Sequence, residues 1–198
     1  DSEALIMMSP EKFKKSYDID ARVNQEVTAI HRDRKTIEVK DVSTGVTREE
    51  AYDVLVLAPG AAPIRPKSIK GADRPEVYTN RNVVDIIRLK EGVASGEIRD
   101  VAVIGGGFIG IETAENLRKL GKQVTVIEAM DQILAPLDYD FVQMVQKEMM
   151  DHGVQVIVGD GVKEIDGSQV LLASGKAVPA QAVVLAIGVA PETGLARQ

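Results

Sequence analysis

Three glycines, Gly105, Gly107 and Gly110, stand inside VAVIGGGFIGIETAENL, residues 101 to 117, at the spacing G-x-G-x-x-G. An apolar run that reads as a buried strand precedes them and a helix-forming run follows, which is the context this motif needs. There the first glycine makes a tight turn, the second lets backbone approach a pyrophosphate, and the third lets the helix pack closely on the strand. The helix N-terminus supplies N–H donors and the positive end of a dipole. Gly106, Phe108 and Ile109 complete the candidate contact segment. Glu128 follows at the end of VTVIE, 18 residues beyond Gly110. A carboxylate there accepts hydrogen bonds from an adenosine ribose and repels a 2′-phosphate. The next residues, AMDQIL, hold no Lys or Arg to pair with such a phosphate. The chemistry indicated is binding of a nicotinamide dinucleotide, NAD(H) in preference to NADP(H). The plain alternatives are a tight turn with no ligand and a solvated strand-end carboxylate.

The elements that must position these residues read as follows. VAVI is a strand, IETAENLRKL a helix ended by Gly121, and VTVIE the next strand. Asp138 to His152 forms a helix with Phe141, Val142, Val145 and Met149 on one face and Gly153 as its stop. VQVIV, a short meander over 161–180 and VVLAIG complete the unit. Upstream, Ser9-Pro10-Glu11 is a helix start, with a hydroxyl cap, proline at the first position and an acid in the first turn. That helix ends near Tyr17. Three β-favouring stretches from Arg22 to Ala51 form an antiparallel meander. VLVLA, residues 54 to 58, is too continuously apolar for a half-exposed strand and suits a parallel sheet covered on both faces. A helix near Asn82–Glu91 is expected to stop at Gly92.

The chain repeats itself. YDVLVLAPGAAP at 52–63 returns as QAVVLAIGVAP at 181–191, with Leu57 on Leu185, Ala58 on Ala186, Gly60 on Gly188 and Pro63 on Pro191. V-N-Q-E-V-T-A-I from Val23 likewise answers V-G-D-G-V-K-E-I from Val158. Copy two opens with a strand–glycine–helix–strand unit before its meander. Copy one has only 22 residues there and no glycine turn, so the chain reads as an internal fragment.

Composition narrows the class. At 44% hydrophobic and 27% charged the chain reads as globular, and its net charge of −6 argues against nucleic acid or an anionic membrane surface as partner. No apolar run approaches the roughly 20 residues of a membrane span. The chain has no cysteine, so thiol chemistry is excluded within it, and the profile fits a cytoplasmic protein. Asp138 and Asp140 read as helix-start acids rather than a catalytic pair. His31 and His152 lack partners at metal-ligand spacing, so no metal site is expected. Met7–Met8 and Met149–Met150 read as packing residues.

These stretches in this order, SPEKFKKSY, YDVLVLAPGAAP, TNRNVVD, GGGFIGIETAENLRKLG, VTVIEAMDQILAPLDYD and AIGVAPE, resemble the FAD- and NAD-dependent pyridine nucleotide-disulfide oxidoreductases. The resemblance covers essentially the whole chain. Within the family the likeness is to coenzyme A-disulfide reductase, NADH oxidase and NADH peroxidase. It implies an α/β fold: a Rossmann-like three-layer ββα nucleotide-binding domain, with a parallel sheet and an antiparallel meander, preceded by part of a second domain of the same architecture. Residues 1–98 would be part of an FAD-binding domain. Residues 99–198 would be the NAD(P)-binding domain with the start of the return segment.

By the same resemblance Ala58, Pro59 and Gly60 lie against FAD and backbone near Val27 meets its adenine. Gly188 lines the nicotinamide side. Phe108 resembles the aromatic gate over the flavin, and Glu112 the acid one turn beyond it, near the nicotinamide carboxamide. An ordinary core phenylalanine and a helix N-terminal acid are the alternatives for these two. The parent enzyme, an expected homodimer, would pass hydride from NADH to FAD and on to a disulfide, persulfide or oxygen species.

The family's catalytic cysteine belongs before Asp1 and its dimerisation domain after Gln198. No catalytic residue is therefore expected in this chain, which by itself would be inactive and colourless. In coenzyme A-disulfide reductases a basic residue near the end of the SPEKF helix meets coenzyme A; here Ser16 and Tyr17 end that helix, with Lys14 and Lys15 before them. Other readings are a ferredoxin-reductase-like or nitrite-reductase-like flavoprotein without redox cysteine, or a stand-alone NADH-binding module. Residues 1–98 are expected to be poorly ordered, rearranged or buried against a second copy, and 99–190 to hold a native-like core.

Overall fold

The computed structural model describes residues 7–94 and 96–198. The chain divides into two compact units, one running to Ala61 and including Pro191–Gln198, the other Ala62–Ala190.

In the first unit α1 (Pro10–Tyr17) begins as the sequence indicates: Lys12 N–H donates to the Ser9 hydroxyl and Pro10 takes the first turn. Asp18 ends it in the left-handed conformation. None of its side chains is buried. β1 (Gln25–His31), β2 (Thr36–Asp41) and β3 (Thr47–Ala51) form the expected antiparallel meander. Val27 faces Val39 across β1 and β2, and Ile30 and Val39 are its buried apolar residues.

The second unit is built on a five-stranded parallel sheet. β5 (Val77–Thr79), β6 (Asp100–Ile104), β7 (Gln123–Ile127), β8 (Val154–Ile157) and β12 (Ala182–Leu185) take the order β5-β12-β6-β7-β8. Period-two alternation sorts their side chains into two cores. Val101, Val103, Val124, Val126 and Val184 pack with Leu89, Ala114, Leu117 and Val142 of α2 (Val83–Ala94), α3 (Phe108–Lys119) and α4 (Tyr139–Asp151). Ala102, Ile104, Val183 and Leu185 point the other way, onto a second meander, β9 (Val162–Ile165), β10 (Gln169–Leu172) and β11 (Ala177–Pro179). Helices on one face and a meander on the other give the three-layer ββα domain expected from the sequence.

Four expectations are corrected. VLVLA is not a strand: residues 52–60 have no strand assignment, no ladder among the described residues includes 54–58, and Val54 and Val56 are 83% and 82% exposed. Strand geometry needs a neighbour to take its backbone groups, and no described strand pairs with this stretch. Gly92 does not stop α2, which runs on to Ala94; a Cβ there would fall 2.1 Å from the Tyr78 hydroxyl, so the glycine permits close packing. On α4 the buried face is Val142 and Met149 with half-buried Val145, while Phe141 is exposed. Met7 and Met150 are exposed rather than packed.

β5 gave no sequence signal, being three residues long, yet it forms the sheet's edge and brings residues 62–94 into the second unit. The repeated exits lead into β4 (Ala61–Pro63) and β13 (Val189–Pro191), which pair with one another. Gly60 and Gly188 take φ of +76° and +100°, a region that favours glycine. Glu192 N–H donates to the Gly60 carbonyl at 3.0 Å, and Ile64 N–H to the Gly188 carbonyl at 3.1 Å. The repeat is thus local geometry as well as sequence.

Candidate functional site

The chain leaves β6 toward β7 on one side, while β12 flanks β6 on the other. Such a switch of direction opens a crevice at the carboxyl ends of the strands, where ligands bind in open α/β sheets. The glycine turn sits at this point, and each glycine has a separate reason. Gly105 has φ +107°, and a Cβ on it would lie 2.4 Å from the Ala186 carbonyl oxygen. On Gly110 a Cβ would lie 2.0 Å from the Gly105 carbonyl oxygen, so only glycine lets α3 approach β6 this closely. A Cβ on Gly107 would meet nothing within 4 Å. That middle position opens onto empty space, where a ligand's phosphates could approach backbone.

Gly107 is also the N-cap of α3, in extended conformation, and no side chain caps this end. Ile111 N–H is bonded to the Gly107 carbonyl, and the N–H groups of a first helical turn have no intrahelical partner. Together with the helix dipole they suit an anion. Phe108 and Ile109 begin the helix and are 61% and 47% exposed, which excludes the reading of Phe108 as core. Glu112 is exposed one turn on. Gly188 is exposed beyond the end of β12.

Glu128 stands at the end of β7. Its Oε2 accepts the Gly106 N–H at 2.7 Å and its Oε1 the Met130 N–H at 2.8 Å. The sequence placed this carboxylate near the turn but gave no hint that it binds the turn directly. Another missed feature is Asn80, just past β5, whose amide donates to the Thr113 hydroxyl at 2.7 Å. That hydroxyl donates to the Ile109 carbonyl at 2.6 Å. The pair ties the sheet edge to the first turns of α3. Because β5 itself gave no sequence signal, nothing in the sequence singled Asn80 out.

The residues assigned to FAD are in the first unit. Val27 is half-buried on β1, and Ala58, Pro59 and Gly60 are exposed on irregular backbone. A Cβ on Gly60 would meet nothing within 4 Å, leaving its backbone open to a ligand. Among the described residues no group of three or more His, Cys, Asp or Glu is placed to hold a metal ion. No described helix is long and apolar enough to cross a membrane.

Known proteins share this architecture. The chain is 28% identical to coenzyme A disulfide reductase of Staphylococcus aureus strain JH9, over 98% of its own length and 44% of the relative's. Reduced CoADR-RHD from Bacillus anthracis superposes with a TM-score of 0.92 at 40% identity, covering all of this chain and 36% of that one. A water-forming NADH oxidase from Lactobacillus brevis, bound to NADH, gives 0.89 at 32% identity, covering all of this chain and 44% of that one. The chain spans less than half the length of the curated relatives it matches, 43% and 44% for two of them. Residues 3–198 match the pyridine nucleotide-disulphide oxidoreductases, an extent that takes in both units, and the chain belongs to that family.

Proposed function

We propose that Ala62–Ala190 is the NADH-binding unit of a flavoprotein oxidoreductase, and that the first unit carries part of its FAD site. The observation that carries this reading is the unequal glycine turn: Gly105 and Gly110 are closed by contact, while Gly107 is open at an uncapped helix N-terminus. Backbone N–H groups of Gly107 to Gly110 would hold the pyrophosphate, and Glu128 the adenosine ribose. Phe108 would cover the flavin ring until nicotinamide displaces it, with Glu112 and Gly188 beside the nicotinamide. Val27 and Ala58 to Gly60 would meet FAD. When bound, FAD supplies the two-electron carrier between NADH and the acceptor. The protein's part is to orient the dinucleotide and keep its phosphates on backbone donors.

The acceptor is a disulfide such as coenzyme A disulfide, a persulfide, or an oxygen species; the names of the relatives described above support the first and the last. A cytoplasmic location and a homodimeric whole enzyme belong to the same proposal. The test is titration by nicotinamide fluorescence. NADH should bind at least tenfold more tightly than NADPH, a difference of about 1.4 kcal/mol. Gly107→Ala should weaken NADH at least tenfold while leaving the melting temperature unchanged, because its methyl occupies only the open cradle. Equal affinities, or an NADPH preference, would overturn the assignment.

A further inference from the structure

Gly106 is gripped on three sides by the segment that follows β7. Its N–H donates to Glu128 and its carbonyl accepts the Leu134 N–H at 2.8 Å. A Cβ on it would fall 2.6 Å from Ile133 Cγ2 and 3.2 Å from Glu128 Cβ. Ile133 is fully buried, and Leu134 is held at φ +48°, a conformation that a non-glycine residue seldom adopts. The second oxygen of Glu128 is fastened to Met130. The glycine turn and residues 128–134 are therefore one mechanical piece, and the Glu128 carboxylate is its pin.

We propose that Glu128 is a positioning residue for the glycine turn as well as the acceptor for the adenosine ribose, so that one carboxylate couples ribose recognition to the phosphate cradle. The inference rests on the dinucleotide reading above. An ionised carboxylate has about four acceptor sites. Two are taken by the backbone N–H groups, which leaves one on each oxygen for the two hydroxyls of a ribose. The ligand joins an arrangement already made and does not displace it.

This changes what sets cofactor choice. Removing the carboxylate relieves repulsion of a 2′-phosphate, but it also releases Gly106 and slackens the turn on which every dinucleotide depends. The preference for NADH is thus narrowed by loss of NADH affinity and not by gain of NADPH affinity.

Amide hydrogen exchange by NMR on the ligand-free chain tests the pin directly, in the parent, Glu128→Ala and Glu128→Gln. Gln keeps the shape of Glu but sets an NH2 against one backbone donor. Gly106 and Met130 should exchange at least tenfold faster in Glu128→Ala, and at least one of them in Glu128→Gln. Val103 and Leu117, in the core, should be unchanged. Titrated with NADPH, neither variant should bind it more tightly than the parent does. Exchange at Gly106 within twofold of the parent in both variants overturns the proposal, as does a threefold or greater gain in NADPH affinity. Should the parent bind neither dinucleotide, the functional reading fails while the exchange result still decides the positioning role.

Discussion

Val54–Leu57 and Ala182–Leu185 hold the same place in the two copies of the repeat, yet only one of them is a strand. Ala182, Val183 and Val184 are fully buried and Leu185 is 3% exposed, whereas Val54 and Val56 lie open to solvent. β12 runs between β5 and β6, with residues of α2 and α3 on one face and of β10 and β11 on the other. Each buried Val or Leu there contributes roughly 2 kcal/mol, and both edges of the backbone are satisfied. Residues 54–58 have no partner strand among the described residues, and only Leu55 is half-buried. Apolar composition gives a segment the capacity to be a strand; neighbours decide whether that capacity is used.

The sharpest way to break this comparison is to place a charge in each copy. Val184→Asp buries an unpaired carboxylate in the centre of the sheet and should cost about 3–5 kcal/mol, seen as a lower urea midpoint by circular dichroism. Val56→Asp should change stability by less than about 0.5 kcal/mol. Comparable losses in both would mean that 54–58 is buried in solution and that the contrast is false.

A second prediction concerns the ligand of the weaker half. Ala58, Pro59 and Gly60 sit exposed on backbone outside any strand, which holds no preformed cradle for a flavin. The chain should purify without absorbance in the flavin bands, and amides of 54–58 should exchange far faster than those of 101–104. Stoichiometric yellow protein would show that the first unit binds FAD as it stands.

At the glycines the copies should behave alike, which sharpens the comparison. Gly60→Ala and Gly188→Ala meet no close atoms, the nearest being Ile64 Cδ1 at 3.9 Å from Gly188. The cost is then the left-handed backbone alone, about 1 kcal/mol in each. Denaturation midpoints that differ widely between the two variants would show that one exit carries a packing role the other lacks.

The smallest effect concerns the two meander turns. Ser43 and Thr44 donate backbone N–H bonds to Asp41, and Ser168 and Gln169 donate theirs to Asp166. Both carboxyls lie below their ordinary value, Asp41 chiefly through Thr44; Asp166 is held down to about 2, chiefly by the Ser168 backbone bond. A depressed folded value means that the turn's contribution is complete above the ordinary carboxylate range and is lost as pH falls from about 4 toward about 2. The melting-temperature advantage of the parent over Asp166→Asn should therefore shrink across that window. An advantage that grows on acidification would contradict the sign.

The second unit was legible because local chemistry and global fold agree there. The apolar runs at 101–104, 124–127 and 182–185 are all strands, the first leads into a turn whose Gly105 and Gly110 are required by short contacts, and Gly121 and Gly153 end α3 and α4 in left-handed conformation. Spacing alone therefore located the strand–turn–helix unit, the candidate phosphate cradle and the acid at the end of β7. What spacing could not reveal were contacts between segments distant in sequence: β5 at the sheet edge, Gly92 against Tyr78, Asn80 on Thr113, and Glu128 gripping Gly106. The fate of 54–58 belongs with these. A side-chain pattern is carried by the residues themselves, but a backbone hydrogen bond in a parallel sheet needs a second strand brought alongside, and only the tertiary structure decides whether that strand is there.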